Sequence, residues 1–407
     1  MERTTCAIVG GGPAGMVLGL LLARAGIEVT VLEKHGDFLR DFRGDTVHPS
    51  TIRLMDELGL GKEFRKLPQS KLQRIGFPGG DGVQVLGDLS RLRKPYNYIA
   101  MVPQWDLLDL LADAGKQEPT YSLRMNTEVI GVVNDGDRIT GVRYRTKDGE
   151  EGVLHADLTV ACDGRSSLLR AAAGLVPEEF PVPFDAWWLR LPRHPHEETE
   201  VGGVELHFKD REMMLVITRE GYNQIAYLST KGADPRLRAE GIGAFRERIV
   251  RLNPKFTDRV AELESMDDVK VLDVKLNRLH QWHVDGLLCI GDAAHAMSPV
   301  GGVGINLAVQ DAVATAALLA GPLRRGRAGQ DELAKIRRRR WLPMQVVQGL
   351  QRFLHAKVLN PVLAGERAGY PSVPLLLTRL FPPLRAVPAY VIGMGVRPEH
   401  APDFARR

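Results

Sequence analysis

Gly10, Gly12 and Gly15 stand in G-x-G-x-x-G register with Pro13 and Ala14 between them, and Glu33, followed by Lys34, comes 23 residues after the first glycine. Glycines so spaced permit a tight turn, close approach of backbone to a pyrophosphate and close helix–strand packing, while an acid at that distance accepts a ribose hydroxyl. Two later segments carry the same residue types. Asp163-Gly164-Arg165-Ser166 is one, and Gly291-Asp292-Ala293-Ala294-His295 is the other, running on to Pro299, Gly302, Gly304, Ile305 and Asn306. The chemistry suited to these groups is the binding of a long, phosphate-bearing ligand.

Strands and helix starts must position them. Cys6–Val9 is an apolar run suited to a strand buried on both faces. Met16, Val17, Leu20, Leu21 and Ala23 then repeat at helical spacing until Gly26, and Glu28–Glu33 reads as a second strand. Asp157–Cys162 predicts a strand leading to a helix over Ser167–Ala173 with Ser166 as its N-cap. Leu287–Ile290 predicts another, followed by an Ala/Leu/Val helix to about Leu319. The first motif alone fits a nicotinamide or a flavin dinucleotide. Three such strand ends spread over nearly 300 residues imply one long ligand in a discontinuous domain.

Taken in order with Arg43-Gly44-Asp45 before a helix and Gln104 before Trp105-Asp106-Leu107-Leu108, these motifs resemble the FAD-dependent aromatic hydroxylases, the para-hydroxybenzoate hydroxylase-like single-component flavoprotein monooxygenases. The resemblance spans residues 6 to about 320. It implies that Gly10, Gly12 and Gly15 cradle the FAD pyrophosphate, Glu33 holds the adenosine ribose, and Arg43 lies near the pyrophosphate. It places Gln104 at the ribityl region, the backbone of Val129 at the adenine, and Asp163-Gly164 near FAD and an incoming NAD(P)H. Asp292 would hold the ribityl chain, and the amides of Ile305 and Asn306 would face the flavin pyrimidine. A helix starting near Gly304 would aim its dipole at that edge, where reduction develops negative charge. Pro299 would stiffen the substrate-side wall. His48 is carried with it as a candidate at the reacting centre, against the alternative of a hydrogen bond at a helix start.

The fold class expected is α/β with an α+β second domain. A discontinuous Rossmann-type FAD domain covers 1–75, 96–176 and 275–325, and an antiparallel substrate sheet covers 76–95 and 177–274. A helical C-terminal segment covers 326–407. Ala186–Leu191, Gly203–Phe208, Met213–Thr218 and Gln224–Ser229 predict strands, and Ile242–Leu252 a helix. Alternation lets only about half of Trp187, Trp188, His207 and Tyr227 face a flavin. The basic run Arg337–Arg340 is read as a solvated face pairing with acids, against a membrane-surface or partner contact, and Pro371–Val396 as packing or a substrate entrance.

Composition narrows the classes further. Lys and Arg exceed Asp and Glu by 54 to 50, no surplus for a nucleic-acid binder. Three cysteines cannot form a disulfide framework and read as buried thiols in a reducing, cytoplasmic setting. No metal-ligand spacing and no membrane span are expected. The reading is an FAD-dependent monooxygenase, consuming NAD(P)H and O2 and hydroxylating an apolar aromatic or phenolic small molecule through a flavin C4a-hydroperoxide. A homodimer stays open. The alternatives are a halogenase, an oxygen-independent reductase or a non-catalytic FAD-binding protein.

Overall fold

The computed structural model describes residues 1–39, 46–79, 82–197, 204–366 and 381–407. β1 (Glu2–Val9) turns through the glycines into α1 (Pro13–Arg24), where proline suits a first helical position whose N–H has no intrahelical partner. β2 (Val29–Leu32) returns parallel to β1. After α2 (Pro49–Glu57) and α3 (Gln104–Lys116), β3 (Tyr121–Arg124) adds to the far side of β2. β4 (Thr127–Asp135) and β5 (Arg138–Thr146) make a hairpin. β6 (Glu151–Ala161) pairs antiparallel with β5 and parallel with β1. The short α4 (Leu168–Ala172) follows; its N-cap is Ser167, whose hydroxyl accepts from Arg170 N at 3.0 Å, rather than Ser166.

The second layer is an antiparallel sheet of β7 (Phe184–Pro192), β8 (Val204–Lys209), β9 (Glu212–Thr218) and β10 (Tyr222–Thr230), backed by α5 (Asp234–Leu252) and finished by β11 (Lys270–Leu272). Its order is β8-β9-β10-β7-β11. Period-2 alternation sorts its side chains cleanly. Trp187, Leu189, Leu191, Met214, Val216, Ile225 and Tyr227 pack on α5 residues Phe245 and Ile249, while Ala186, Trp188, Met213, Leu215 and Ala226 face the other way. α5 begins eight residues before Ile242 and bends at Gly241, φ +80°. The hairpin Arg74–Gly79 and Gly82–Asp88 forms a two-stranded sheet of its own and does not extend this one. The two crossings between the layers, Glu178–Phe180 and Leu276–Arg278, pair antiparallel with each other.

β12 (His283–Val284) and β13 (Leu287–Cys289) complete the first sheet, in the order β12-β13-β6-β1-β2-β3. The carboxyl ends of β13, β6, β1 and β2 are therefore neighbours. α6 (Gly304–Arg324) packs beside α1. The stretch Val300–Arg324 has the length and apolar composition of a membrane-crossing helix, but 72% of its apolar window is buried inside the protein. α7 (Gln330–Leu354) continues through a π-turn at His355–Leu359 to Asn360–Leu363, and α8 (Ala386–Gly393) lies near the end. The basic run is a solvated, acid-paired face only in part: Arg338 and Arg339 are exposed. Arg340 is 1% exposed, Arg339 is ion-paired with Glu399 at 2.6 Å, and the Arg337 guanidinium stacks on Trp341 at 4.1 Å.

Candidate functional site

The β1–α1 turn is built by close approach. Gly10 adopts φ +107°, and a Cβ there would lie 2.4 Å from the Cys162 carbonyl at the end of β6. A Cβ on Gly15 would lie 2.0 Å from the Gly10 carbonyl. Gly12 differs, because a Cβ there would meet nothing within 4 Å among the described residues. Pro13 opens α1, and Ala14 is buried against Gly291, whose Cβ position is 3.5 Å from the Ala14 methyl. Glu33 is buried and turned back on the loop, accepting from Gly11 N at 2.8 Å and His35 N at 3.0 Å. Lys34 is exposed next to it. Thr127 N donates to the Glu33 carbonyl at 2.9 Å, which brings the start of β4, with buried Val129, to the same end of β2.

Asp163-Gly164 and Gly291-Asp292 end adjacent strands and are braced together. Arg165 lies 3.6 Å from Asp292 Oδ2. Arg170 is buried and donates to the Ala293 carbonyl at 3.1 Å and the Arg165 carbonyl at 3.0 Å. Neither arginine was assigned a role from sequence, and the turn-signal pattern around them points to no such brace. Asp163 Oδ2 accepts from Leu169 N at 3.1 Å, whereas its Oδ1 is buried without a hydrogen-bond partner among the described residues. Burial raises its carboxyl above the usual carboxylate range. Gly164 has φ +84° and open space at its Cβ position.

The loop before α6 is held from three sides. Thr46 Oγ1 donates to the Gly302 carbonyl at 2.8 Å. Ser50 and Thr51 both donate to Asn306 Oδ1, at 2.7 and 2.9 Å. Gln351 of α7 donates to the Ser298 and Val300 carbonyls at 2.8 and 2.9 Å and accepts from Ser298 N, and His355 meets Ser298 Oγ at 2.9 Å. Half-buried Pro299 caps the turn, its carbonyl accepting from Gly302 N at 3.0 Å. α6 has no side-chain cap at Val303, and its first ladder bond is Leu307 N to the Val303 carbonyl, so the N–H groups of Gly304, Ile305 and Asn306 close no turn of the helix. Half-buried Gln104 opens α3. Its neighbour Trp105 carries the Arg190 guanidinium of β7 at 5.5 Å.

His48 is fully buried, with Nδ1 2.8 Å from the Ile392 carbonyl and Nε2 3.0 Å from the Gly302 carbonyl. Each ring nitrogen thus lies against a main-chain carbonyl. His48 is also the N-cap residue of α2, but its ring makes no capping bond. Arg43 lies outside the described residues.

His295 joins a buried ionic chain. Its Nε2 is 2.6 Å from Asp311 Oδ2, Asp311 Oδ1 accepts from Arg340 at 2.9 Å, and Arg340 reaches Glu399 at 3.4 Å. Asp311 also accepts from Gly291 N at 3.2 Å. Burial alone would raise the Asp311 carboxyl, but His295 and Arg340 beside it hold it below its ordinary value. This chain ties the Gly291-Asp292 turn to the C-terminal segment.

The face of the antiparallel sheet turned from α5 meets the α6 loop. Val300 packs in one cluster with Ala186, Trp188, Met213, Leu215, Leu359 and Leu363. Trp188 and Leu215 extend into a second cluster with Met101, Ile217, Ala389 and Ile392. Trp187 and Tyr227 point to the opposite face, bonded to Asp234 at 2.8 Å and Glu212 at 2.7 Å. An open apolar cleft of about 320 Å³, lined by Leu92, Ala386, Val387, Tyr390 and Val391, borders the second cluster.

The residues present fit a flavin dinucleotide. Gly12 leaves a cradle that a Cβ would fill, the uncapped start of α6 offers N–H groups to a developing anion, and Glu33 and Asp292 follow the carboxyl ends of β2 and β13, on the same edge of the sheet with β1 and β6 between them. The fold and site thus define an FAD-binding α/β protein. Residues 3–349 match the FAD binding domain family, and the chain belongs to it, among the flavin monooxygenases. It is 33% identical over 334 residues to 6-methylpretetramide 4-monooxygenase of Streptomyces rimosus, covering 79% of this chain and 77% of that protein. It is 28% identical to rifampicin monooxygenase of Streptomyces venezuelae, covering 75% of this chain and 61% of that relative. The structure of OxyS, an anhydrotetracycline hydroxylase from Streptomyces rimosus, shares the fold with TM-score 0.76 at 22% identity, covering 98% of this chain and 77% of that one.

Proposed function

We propose that this flavin monooxygenase consumes NAD(P)H and O2 to hydroxylate an apolar, multi-ring aromatic or phenolic small molecule. The observation that carries the reading is the apolar face of the antiparallel sheet, which meets the α6 loop at Val300 and is closed by α8. FAD supplies the oxygen activation when bound. The chain's own residues do the rest. Glu33, Gly12 and Asp292 bind and orient the cofactor, Gln104 and Val129 lie along it, and the start of α6 stabilises negative charge at the ring. Pro299 and the apolar clusters exclude water around the substrate. The relative acting on 6-methylpretetramide supports a multi-ring substrate, and the cleft beside α8 suits its entry.

The domain reading follows the paired crossings, with cofactor handling in the parallel sheet and substrate handling in the antiparallel one. Cys6, Cys162 and Cys289 are free thiols in or beside apolar packing, and burial pushes Cys6 up to about 12, which suits a reducing, cytoplasmic setting. The test is oxidation of NADH and NADPH by the FAD-loaded protein with a panel of multi-ring phenols. Stimulated oxygen uptake with a product heavier by one oxygen atom is expected. A yellow protein that oxidises neither nicotinamide, with or without the panel, refutes the reading.

A further inference from the structure

Residues 46–51 form a clasp between two parts of the molecule far apart in sequence. On one side Thr46 and His48 hold the Gly302 carbonyl, and Ser50 and Thr51 hold Asn306. On the other side His48 meets the Ile392 carbonyl at the end of α8, and Ser50 Oγ lies 3.3 Å from the Gly393 carbonyl. The junction is tight, because a Cβ on Gly393 would come within 3.0 Å of Pro49 Cγ. α8 in turn places Ala389 in the apolar cluster that reaches Trp188.

Within the clasp, His48 is unlike the hydroxyls. Thr46, Ser50 and Thr51 each donate one proton to an acceptor. The imidazole stands between two carbonyl oxygens, both acceptors, and in its neutral form it has one N–H to give. Burial favours that neutral form. Whichever carbonyl receives the proton, the other faces a ring lone pair. The two contacts therefore compete, and a shift of either carbonyl changes the strength of the other contact.

Resting on the flavin reading above, we propose that His48 is a positioning residue that couples α8, on the substrate side, to the Pro299–Gly304 loop, on the flavin side. Tightening of the loop around the flavin is then felt at α8, and closure of α8 over a substrate is felt at the loop.

The coupling is tested by hydrogen–deuterium exchange of residues 386–396 in the full chain, with FAD bound and with FAD stripped. Stripping FAD speeds exchange there about fivefold, the change that one hydrogen bond carries. Two variants separate coupling from local packing. His48→Asn keeps a polar group near the Nδ1 position and loses the contact with the Gly302 carbonyl. His48→Gln keeps a polar group near the Nε2 position and loses the contact with the Ile392 carbonyl. In each, exchange of 386–396 becomes indifferent to FAD while the protein still melts cooperatively. FAD uptake by the wild type with no effect on 386–396 overturns the coupling alone and needs no variant. So does FAD dependence that survives in both variants. A wild-type chain that takes up no FAD overturns the functional reading and the coupling together.

Discussion

Gly12 and Gly15 sit three residues apart and answer to different constraints. At Gly15 a methyl group would strike the Gly10 carbonyl, and at Gly10 it would strike Cys162 in a left-handed backbone conformation. Gly10→Ala is therefore expected to lower stability by about 1–3 kcal/mol, measured as the urea midpoint. At Gly12 the space beside the backbone is open. Gly12→Val should fold and melt like the wild type yet purify without flavin absorbance. A yellow Gly12→Val protein would remove the cradle from the site. Asp292 is a milder case, because Arg165 already shares its charge. Asp292→Ala should weaken FAD binding about tenfold, the loss of one charge-assisted hydrogen bond, as read by flavin fluorescence titration.

At the scale of elements, the site depends on braces between strand ends and helix starts. Arg170, from the five-residue α4, satisfies carbonyls in both the Asp163 and the Asp292 turns. Replacing it by Met keeps the bulk and leaves two shielded carbonyls unpaired. Arg170→Met should cost about 1–3 kcal/mol in stability and loosen FAD, with both effects seen in thermal melts run at two FAD concentrations. A variant that loses stability while the FAD-induced shift of the melt is unchanged would make α4 a core element only. The α6 loop shows the same dependence on a distant helix. Gln351 holds it where α7 passes into its π-turn, and His355 beyond it stays neutral because burial pushes its pKa down to about 4.

Across the whole molecule, the C-terminal segment completes the core rather than trailing from it. Arg24 donates to the Ala405 carbonyl at 2.9 Å, and Glu399 closes the ionic chain that starts at His295. The antiparallel layer has its own ionic lock. Arg259 donates to Glu197 at 2.8 Å, and this bond, against the cost of burial, brings the Glu197 carboxyl down to about 2. A carboxyl depressed by folding contributes stability that is full above its unfolded pKa and fades as pH falls through the folded value. The contribution, on the order of 3 kcal/mol, should therefore be intact at pH 5 and fall away between about pH 4.5 and 2. Urea midpoints across that range should drop more steeply for the wild type than for Glu197→Gln, and parallel curves would remove Glu197 from the lock.

The three strand ends, their glycines and acids, the parallel and antiparallel layers and the family were legible in the residues. Each is written in local terms: a buried apolar run, a turn that tolerates no Cβ, a helix start, a period of two. The two-sided hold on His48, the Arg170 brace, the burial of Arg340 and the return of the tail onto the antiparallel sheet were not. These contacts join residues up to several hundred positions apart, and no local period encodes which distant carbonyl or carboxylate a side chain will meet. Local spacing declares what a segment can bind, but only the packing of layers decides which polar groups remain free to do so, because most buried ones are satisfied by whatever neighbour the fold supplies.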